Sequence, residues 1–201
     1  MDYKIYFLFV IFTIPALCVQ SNVRILDTEE STVENNIQII KELVQRRNEE
    51  ASKENNKVVH LIKDSKIIKM VKYIEILFKK IDLYQKSKIT LQMTLNYLES
   101  AGLQKNLVEK YFEPNKYQGN DLFDLTKFTY IMVNGYLTHV YEIRKAFQKY
   151  DENLSGFISV VNMNIVLKEI GLPDSETLTI NEVLKDKKNV EYDDIINYIT
   201  T

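Results

Sequence analysis

The sequence predicts an all-α protein made of repeated helix–loop–helix units behind an N-terminal helical extension. Three observations favour this fold class. The 201 residues include five glycines and three prolines, so long helices can run without interruption. Apolar residues recur at helical spacing on both sides of a polar loop that begins at Asp151. Single apolar residues that follow such loops recur at intervals of 34, 35 and 32 residues: Ile89, Phe123, Ile158 and Val190.

Composition limits the function. Apolar residues make up 45% of the chain, enough for the core of one compact domain or two small lobes. The net charge of −2 argues against a nucleic-acid partner. The sequence has no glycine-rich phosphate loop, no H-E-x-x-H and no G-x-S-x-G, and its two histidines, His60 and His139, lie far apart and in no catalytic motif. We therefore expect that the protein is not an enzyme.

Residues 1–20 have the layout of a secretory signal peptide. Lys4 precedes a mainly apolar run, residues 5–17, which is too short to span a bilayer comfortably, and small residues stand near its end at Ala16 and Cys18. Cleavage there would remove the single cysteine and produce a secreted or lumenal protein. An uncleaved anchor is the alternative.

Residues 24–28, R-I-L-D-T, resemble the pentameric motif R-x-L-x-E/Q/D by which some intracellular parasites export secreted proteins into their host cell. Thr28 departs from the motif at its fifth position, and Glu29 follows one place late. Export into a host cell is therefore a second candidate destination.

Residues 21–64 are predicted to form the helical extension. A capping box at 31–34 precedes an amphipathic helix to about Glu50, and the polar run 49–57 reads as either a hinge or a solvated continuation. The sequence leaves open whether residues 31–64 lie in the protein's own groove, as a partner helix would.

A second apolar stripe runs from Val58 to Phe78 and has lysines beside it throughout residues 57–80. A basic amphipathic helix can bind an acidic membrane surface or an acidic partner groove. The plainer interpretation is a solvated face on a helix whose other side packs into the protein.

The loop that begins at Asp151 offers oxygen atoms at the alternate positions that a twelve-residue calcium loop uses. The candidate ligands, at loop positions 1, 3, 5, 7, 9 and 12, are Asp151, Asn153, Ser155, the carbonyl of Phe157, Ser159 and Asn162. Position 12 should be a bidentate glutamate, and Asn162 offers one neutral oxygen. The loop therefore predicts at most one weak Ca²⁺ site, or none.

The segment E-I-R-K-A-F-Q-K-Y-D-E-N-L-S-G-F-I-S and the helix after it resemble the EF-hand superfamily, in particular the third hand of calmodulin and the myosin light chains. The alternative is an ordinary polar turn between two core helices. The resemblance implies two EF-hand lobes, residues 65–135 and 136–201, each a pair of helix–loop–helix units joined by a short β bridge through the recurring apolar residues.

The other three loops lack the ligands that the family uses. In the first, Tyr84 and Lys86 replace acidic residues and Met93 stands at position 12. In the second, Lys116 and Lys127 fall at positions 1 and 12. In the fourth, position 1 would fall on Val183, which belongs to the preceding helix, so several loop residues are missing. We expect no calcium in these three loops.

The resemblance implies a function in which an apolar cleft binds the amphipathic helix of a protein partner. In the C-terminal lobe, the residues predicted to line this cleft, or equally the core, are Phe147, Met163, Val166, Leu167 and Ile170. Few methionines follow the leader, which favours one dedicated partner bound largely without calcium. The alternative function is a calcium sensor, or a low-affinity calcium binder, that acts through the third loop.

Overall fold

The structure, a computed structural model, describes residues 30–55, 61–62, 64–101, 112 and 117–200. These residues form seven helices and four short strands: α1 Glu30–Asn55, α2 Asp64–Ile81, β1 Ile89–Thr90, α3 Leu91–Ser100, β2 Leu122–Phe123, α4 Leu125–Gln148, β3 Phe157–Ser159, α5 Val160–Glu169, α6 Asp174–Leu184, β4 Asn189–Glu191 and α7 Tyr192–Ile199. The predicted all-α class is confirmed in that the described residues are mainly helical, and they also contain two small antiparallel sheets. The predicted signal peptide and export motif lie outside the described residues.

The chain divides into two compact units at Leu137 and Thr138. We call the described residues up to Leu137 the N-terminal unit and those from Thr138 the C-terminal unit. None of the helices in the described part of the chain is long and apolar enough to cross a membrane.

Each unit contains one two-stranded antiparallel sheet. β1 pairs with β2 so that Ile89 lies opposite Phe123, and β3 pairs with β4 so that Ile158 lies opposite Val190. All four side chains are buried. The apolar residues that the sequence marked by their spacing therefore pair two by two.

The helix after each strand begins two residues beyond the paired apolar residue, at Leu91, Leu125, Val160 and Tyr192. Three of these starts share one cap, in which the residue before the helix accepts a hydrogen bond from a backbone N–H in the first turn. The distances are 3.1 Å from Met93 to Thr90, 2.8 Å from Lys127 to Asp124 and 3.1 Å from Asn162 to Ser159. A short polar side chain at this place satisfies a donor that the helix leaves unpaired, which fixes the start.

In the N-terminal unit, α1 packs against α2 and buries the predicted stripe, including Ile40, Leu43 and Val44. The helix continues to Asn55 with Ala51 buried, so the polar run 49–57 is a continuation of the helix as far as Asn55. Most of the apolar stripe of α2 is buried as well, with Ile68 exposed, and the helix begins at Asp64.

Two polar contacts fix α1 along the first half of α4. The Thr126 hydroxyl donates to Asn36 Oδ1 at 2.8 Å, and Arg47 donates to Asn134 Oδ1 at 2.9 Å. Asn36 is only 2% exposed, so its bond lies inside the packed interface. α1 is therefore part of the N-terminal unit and packs on α2 and the first half of α4.

Candidate functional site

The third loop closes around the carboxylate of Asp151, which lies just beyond α4 and is 2% exposed. Its Oδ1 accepts from the backbone N–H and the hydroxyl of Ser155, at 2.9 and 3.0 Å. Its Oδ2 accepts from the backbone N–H of Gly156 at 2.7 Å. Charged acceptors form the stronger hydrogen bonds in proteins, so one buried carboxylate holds the whole turn.

Two residues of this turn have left-handed backbone conformations. Leu154 has φ 52° and Gly156 has φ 89°. Glycine has no Cβ to oppose such a φ, and at position 156 it lets the N–H point at Asp151. Glycine is the usual residue for such a conformation, whereas nothing in the sequence marks Leu154.

Tyr192 at the start of α7 lies beside the same carboxylate. Burial by itself raises the pKa of Asp151, but hydrogen bonds from the loop backbone, the Ser155 hydroxyl and Tyr192 outweigh it. The pKa of Asp151 therefore lies below its ordinary value of 3.8. Burial raises the pKa of Tyr192, so its hydroxyl stays protonated and able to donate at neutral pH.

Four of the six predicted ligands come together around Ser155. Its hydroxyl lies 3.0 Å from Asp151 Oδ1 and 3.5 Å from the Phe157 carbonyl oxygen, and its N–H lies 3.3 Å from Asn153 Oδ1. The Ser159 hydroxyl accepts the Asn162 N–H as the cap of α5. The side chains or carbonyls of loop positions 1, 3 and 7 thus lie within hydrogen-bonding distance of Ser155 at position 5.

These donors fit calcium poorly. Calcium prefers six to eight oxygens and several carboxylates, whereas this set contains one carboxylate, and both of its oxygens already accept protein hydrogen bonds. Asn162 lies in the first turn of α5 and brings no charge. Across the described residues, no group of three or more His, Cys, Asp or Glu side chains is placed to hold a metal.

The first loop folds in the same way as the third. Asp82 Oδ1 accepts the Lys86 N–H at 3.0 Å and its Oδ2 accepts the Ser87 N–H at 2.7 Å. Gln85 and Ser87 have φ of 51° and 55°, at the loop positions that Leu154 and Gly156 occupy in the third loop. The turn therefore forms without a glycine, and two non-glycine residues adopt the strained left-handed backbone conformation.

The second and fourth loops differ from this pattern. Lys116 lies outside the described residues, and the Lys127 ammonium lies 5.0 Å from the Phe123 ring centroid. The fourth loop is short: residues 185–188 alone separate α6 from β4, whereas residues 149–156 separate α4 from β3. Val183 belongs to α6, as predicted.

A buried cation behind the third loop was not predicted. Arg144 on α4 is 3% exposed, pairs with the Asp193 carboxylate, and places its guanidinium 5.6 Å from the Tyr192 ring centroid. The Phe147 ring stacks on the same tyrosine at 5.8 Å. Tyr192 therefore connects the loop carboxylate to the core of the C-terminal unit.

The residues predicted to line a cleft or core lie inside the C-terminal unit. Phe147, Met163, Val166 and Leu167 are fully buried, and Ile170 at the end of α5 is half-buried. The exposed apolar side chains of α5 are Val161 and Ile165, which the sequence analysis did not single out. Their spacing places them on the face of the helix opposite to the buried set.

Comparisons with known proteins add little. No family model matches the chain, and no curated protein matches it significantly. Among solved structures, a chain described as "Chaetomium theromophilum TREX2 CID domain complex" is similar over 74% of this chain and 94% of its own, at 17% identity and a TM-score of 0.24. A similarity this low carries no argument about fold or function.

Proposed function

We propose that this chain is a calmodulin-like EF-hand protein of the secretory pathway that binds a partner helix largely without calcium. The observation that carries the proposal is the register of the two sheets, in which Ile89 pairs with Phe123 and Ile158 with Val190. A chance polar turn between core helices has no need of such pairing, nor of exit helices that all begin two residues later. The secretory assignment rests on residues 1–20 alone.

Independence from calcium is supported by the way the loops fold. Asp151 and Asp82 each accept backbone N–H groups of their own loop at 2.7–3.0 Å. Protein donors thus compensate these carboxylates without a cation. We therefore expect the first and third loops to keep their shape in the presence of a chelator.

The C-terminal unit is the proposed binding unit. Its apolar interior includes Phe147 and Met163, both fully buried, and Ile170 forms a half-exposed edge. A partner helix would enter at this edge and separate the helices, which exchanges one set of buried contacts for another. In the N-terminal unit, α1 already covers α2 and α4 and acts as an internal ligand.

Affinity capture with the tagged full chain tests this proposal. We expect the bound partner to stay with the protein in chelator, and Ile170→Glu to lower its recovery at least about tenfold, because the substitution puts a charge at the apolar entrance. Val161→Glu, on an exposed position of the same helix, is the matched control and should retain the partner. Release by chelator alone, or equal recovery with Ile170→Glu, contradicts the proposal.

A low-affinity calcium binder is the second candidate, because four predicted ligand oxygens converge around Ser155. We expect calorimetry of the wild-type protein to give no saturable binding below about 1 mM calcium. Asn162→Glu, which supplies the missing bidentate ligand, should create a measurable site. Val161→Glu adds the same charge one residue away and should not. Saturable submillimolar binding by the wild type would favour the calcium binder.

A further inference from the structure

The tip of the first loop, residues 83–88, presents apolar and cationic side chains to solvent. Leu83 and Tyr84 are adjacent and each is 76% exposed, among the highest values for large apolar residues in the described chain. The Lys86 ammonium lies 5.7 Å from the Tyr84 ring centroid, and Lys88 is exposed nearby. Two adjacent large apolar side chains form a contiguous exposed patch, and contiguous patches rimmed by polar residues mark interaction sites more often than single exposed residues do.

The one acid of this loop does not offset the lysines at the surface. Asp82 is 7% exposed, and its carboxylate points inward to accept the Lys86 and Ser87 N–H groups. In the adjacent α2, Glu75 is occupied by Lys79 at 2.9 Å. The exposed charge of the tip is therefore positive.

The neighbouring loop adds one more apolar residue at the same end of the N-terminal unit. Leu122 is 55% exposed and lies opposite Thr90 in the β1–β2 sheet. Asp121 and Asp124 lie beside it and accept the N–H groups of Gln118 and Lys127 at 2.9 and 2.8 Å. These two acids reduce the positive charge there, so residues 83–88 carry the main contact.

We propose that the tip, residues 83–88, binds anionic lipid bilayers by inserting Leu83 and Tyr84 between headgroups while Lys86 and Lys88 contact lipid phosphate. The apolar residues project from a convex turn rather than line a groove, which suits a deformable lipid surface better than a preformed protein pocket. Tyrosine and lysine both combine an apolar body with a polar end, which suits the headgroup layer. In the described part of α2, most of the apolar stripe is buried, so that helix offers a smaller exposed apolar surface than the tip.

A single-tryptophan experiment tests the insertion directly, because the natural chain contains no tryptophan. The full-length Tyr84→Trp protein is mixed with phosphatidylcholine vesicles that contain phosphatidylserine. We expect its emission to move to shorter wavelength and to be quenched by brominated lipid. Tyr198→Trp is the matched control on α7, where the tyrosine is 56% exposed, and its emission should not change.

The lysines are tested in the Tyr84→Trp protein. Replacement of Lys86 and Lys88 by glutamine should weaken vesicle binding about fivefold per lysine, the equivalent of about 1 kcal/mol each, and added salt should weaken it further. An unshifted Tyr84→Trp spectrum on vesicles that bind the protein would overturn the proposal and assign the tip to a protein contact. An equal shift for Tyr198→Trp, or with phosphatidylcholine alone, would also overturn it.

Discussion

Asp151→Ala is expected to destabilise the C-terminal unit by about 3 kcal/mol in buffer that contains a calcium chelator. The carboxylate accepts three hydrogen bonds from Ser155 and Gly156, and Tyr192 beside it contributes to its lowered pKa. Its removal leaves the buried Gly156 N–H without its charged partner and frees the two Ser155 donors of the turn. Hydrogen exchange of the backbone amides of α5, followed against denaturant, measures the loss within this unit.

The sign of this effect separates two roles for the same residue. A carboxylate kept only to bind a cation should be neutral or unfavourable when the cation is chelated, so alanine would leave stability unchanged or raise it. Asp151→Asn should fall between wild type and alanine, since it keeps one acceptor. Glu152→Ala, at the exposed neighbouring position, is the control and should change stability by less than about 0.5 kcal/mol. Unchanged stability of Asp151→Ala would contradict the structural role.

Sequence patterns could predict the helices because their apolar residues repeat with the helical period, as in α4 before Asp151 and α5 after it. The sheet pairs could be predicted as well, because Ile89, Phe123, Ile158 and Val190 recur at similar intervals of 34, 35 and 32 residues. Both signals are local or periodic. They depend on backbone geometry that every copy of the unit must keep.

The contacts that satisfy the candidate site could not be predicted in this way. Tyr192 reaches Asp151 only because β3 pairs with β4 and brings the start of α7 beside the loop. Arg144 is buried because Asp193 lies opposite it in the folded unit, and its sequence neighbours give no sign of that. The left-handed φ of Gln85 and Ser87 is imposed by the Asp82 carboxylate and runs against their residue type.

The second large effect is expected at α1, where Ile40→Asp should release the helix from the N-terminal unit. Ile40 is 1% exposed and is one of four buried apolar side chains of α1. Their burial stabilises the docked helix by on the order of 8 kcal/mol, before the entropic cost of ordering the helix is subtracted. An unpaired carboxylate buried at position 40 costs more free energy than is left of this stabilisation after the ordering cost. The helix therefore leaves its site, and backbone amides in residues 33–53 should lose their protection from hydrogen exchange. Gln45→Asp, on the exposed face, should leave that protection in place.

Whether the rest of the N-terminal unit stays folded in this variant decides whether α1 is an internal ligand or part of the folding core. The β1–β2 sheet and α3 have their own core, including Ile89, Phe123 and Leu98, all fully buried. We expect their exchange protection to persist in Ile40→Asp, and a synthetic peptide of residues 30–55 to bind the variant in trans. The contacts to Thr126 and Asn134 would then fix the position of the peptide on α4. Loss of hydrogen-exchange protection in β1 together with α1 would instead make α1 part of the folding core. An internal ligand can leave a protein that stays folded, whereas a core helix cannot.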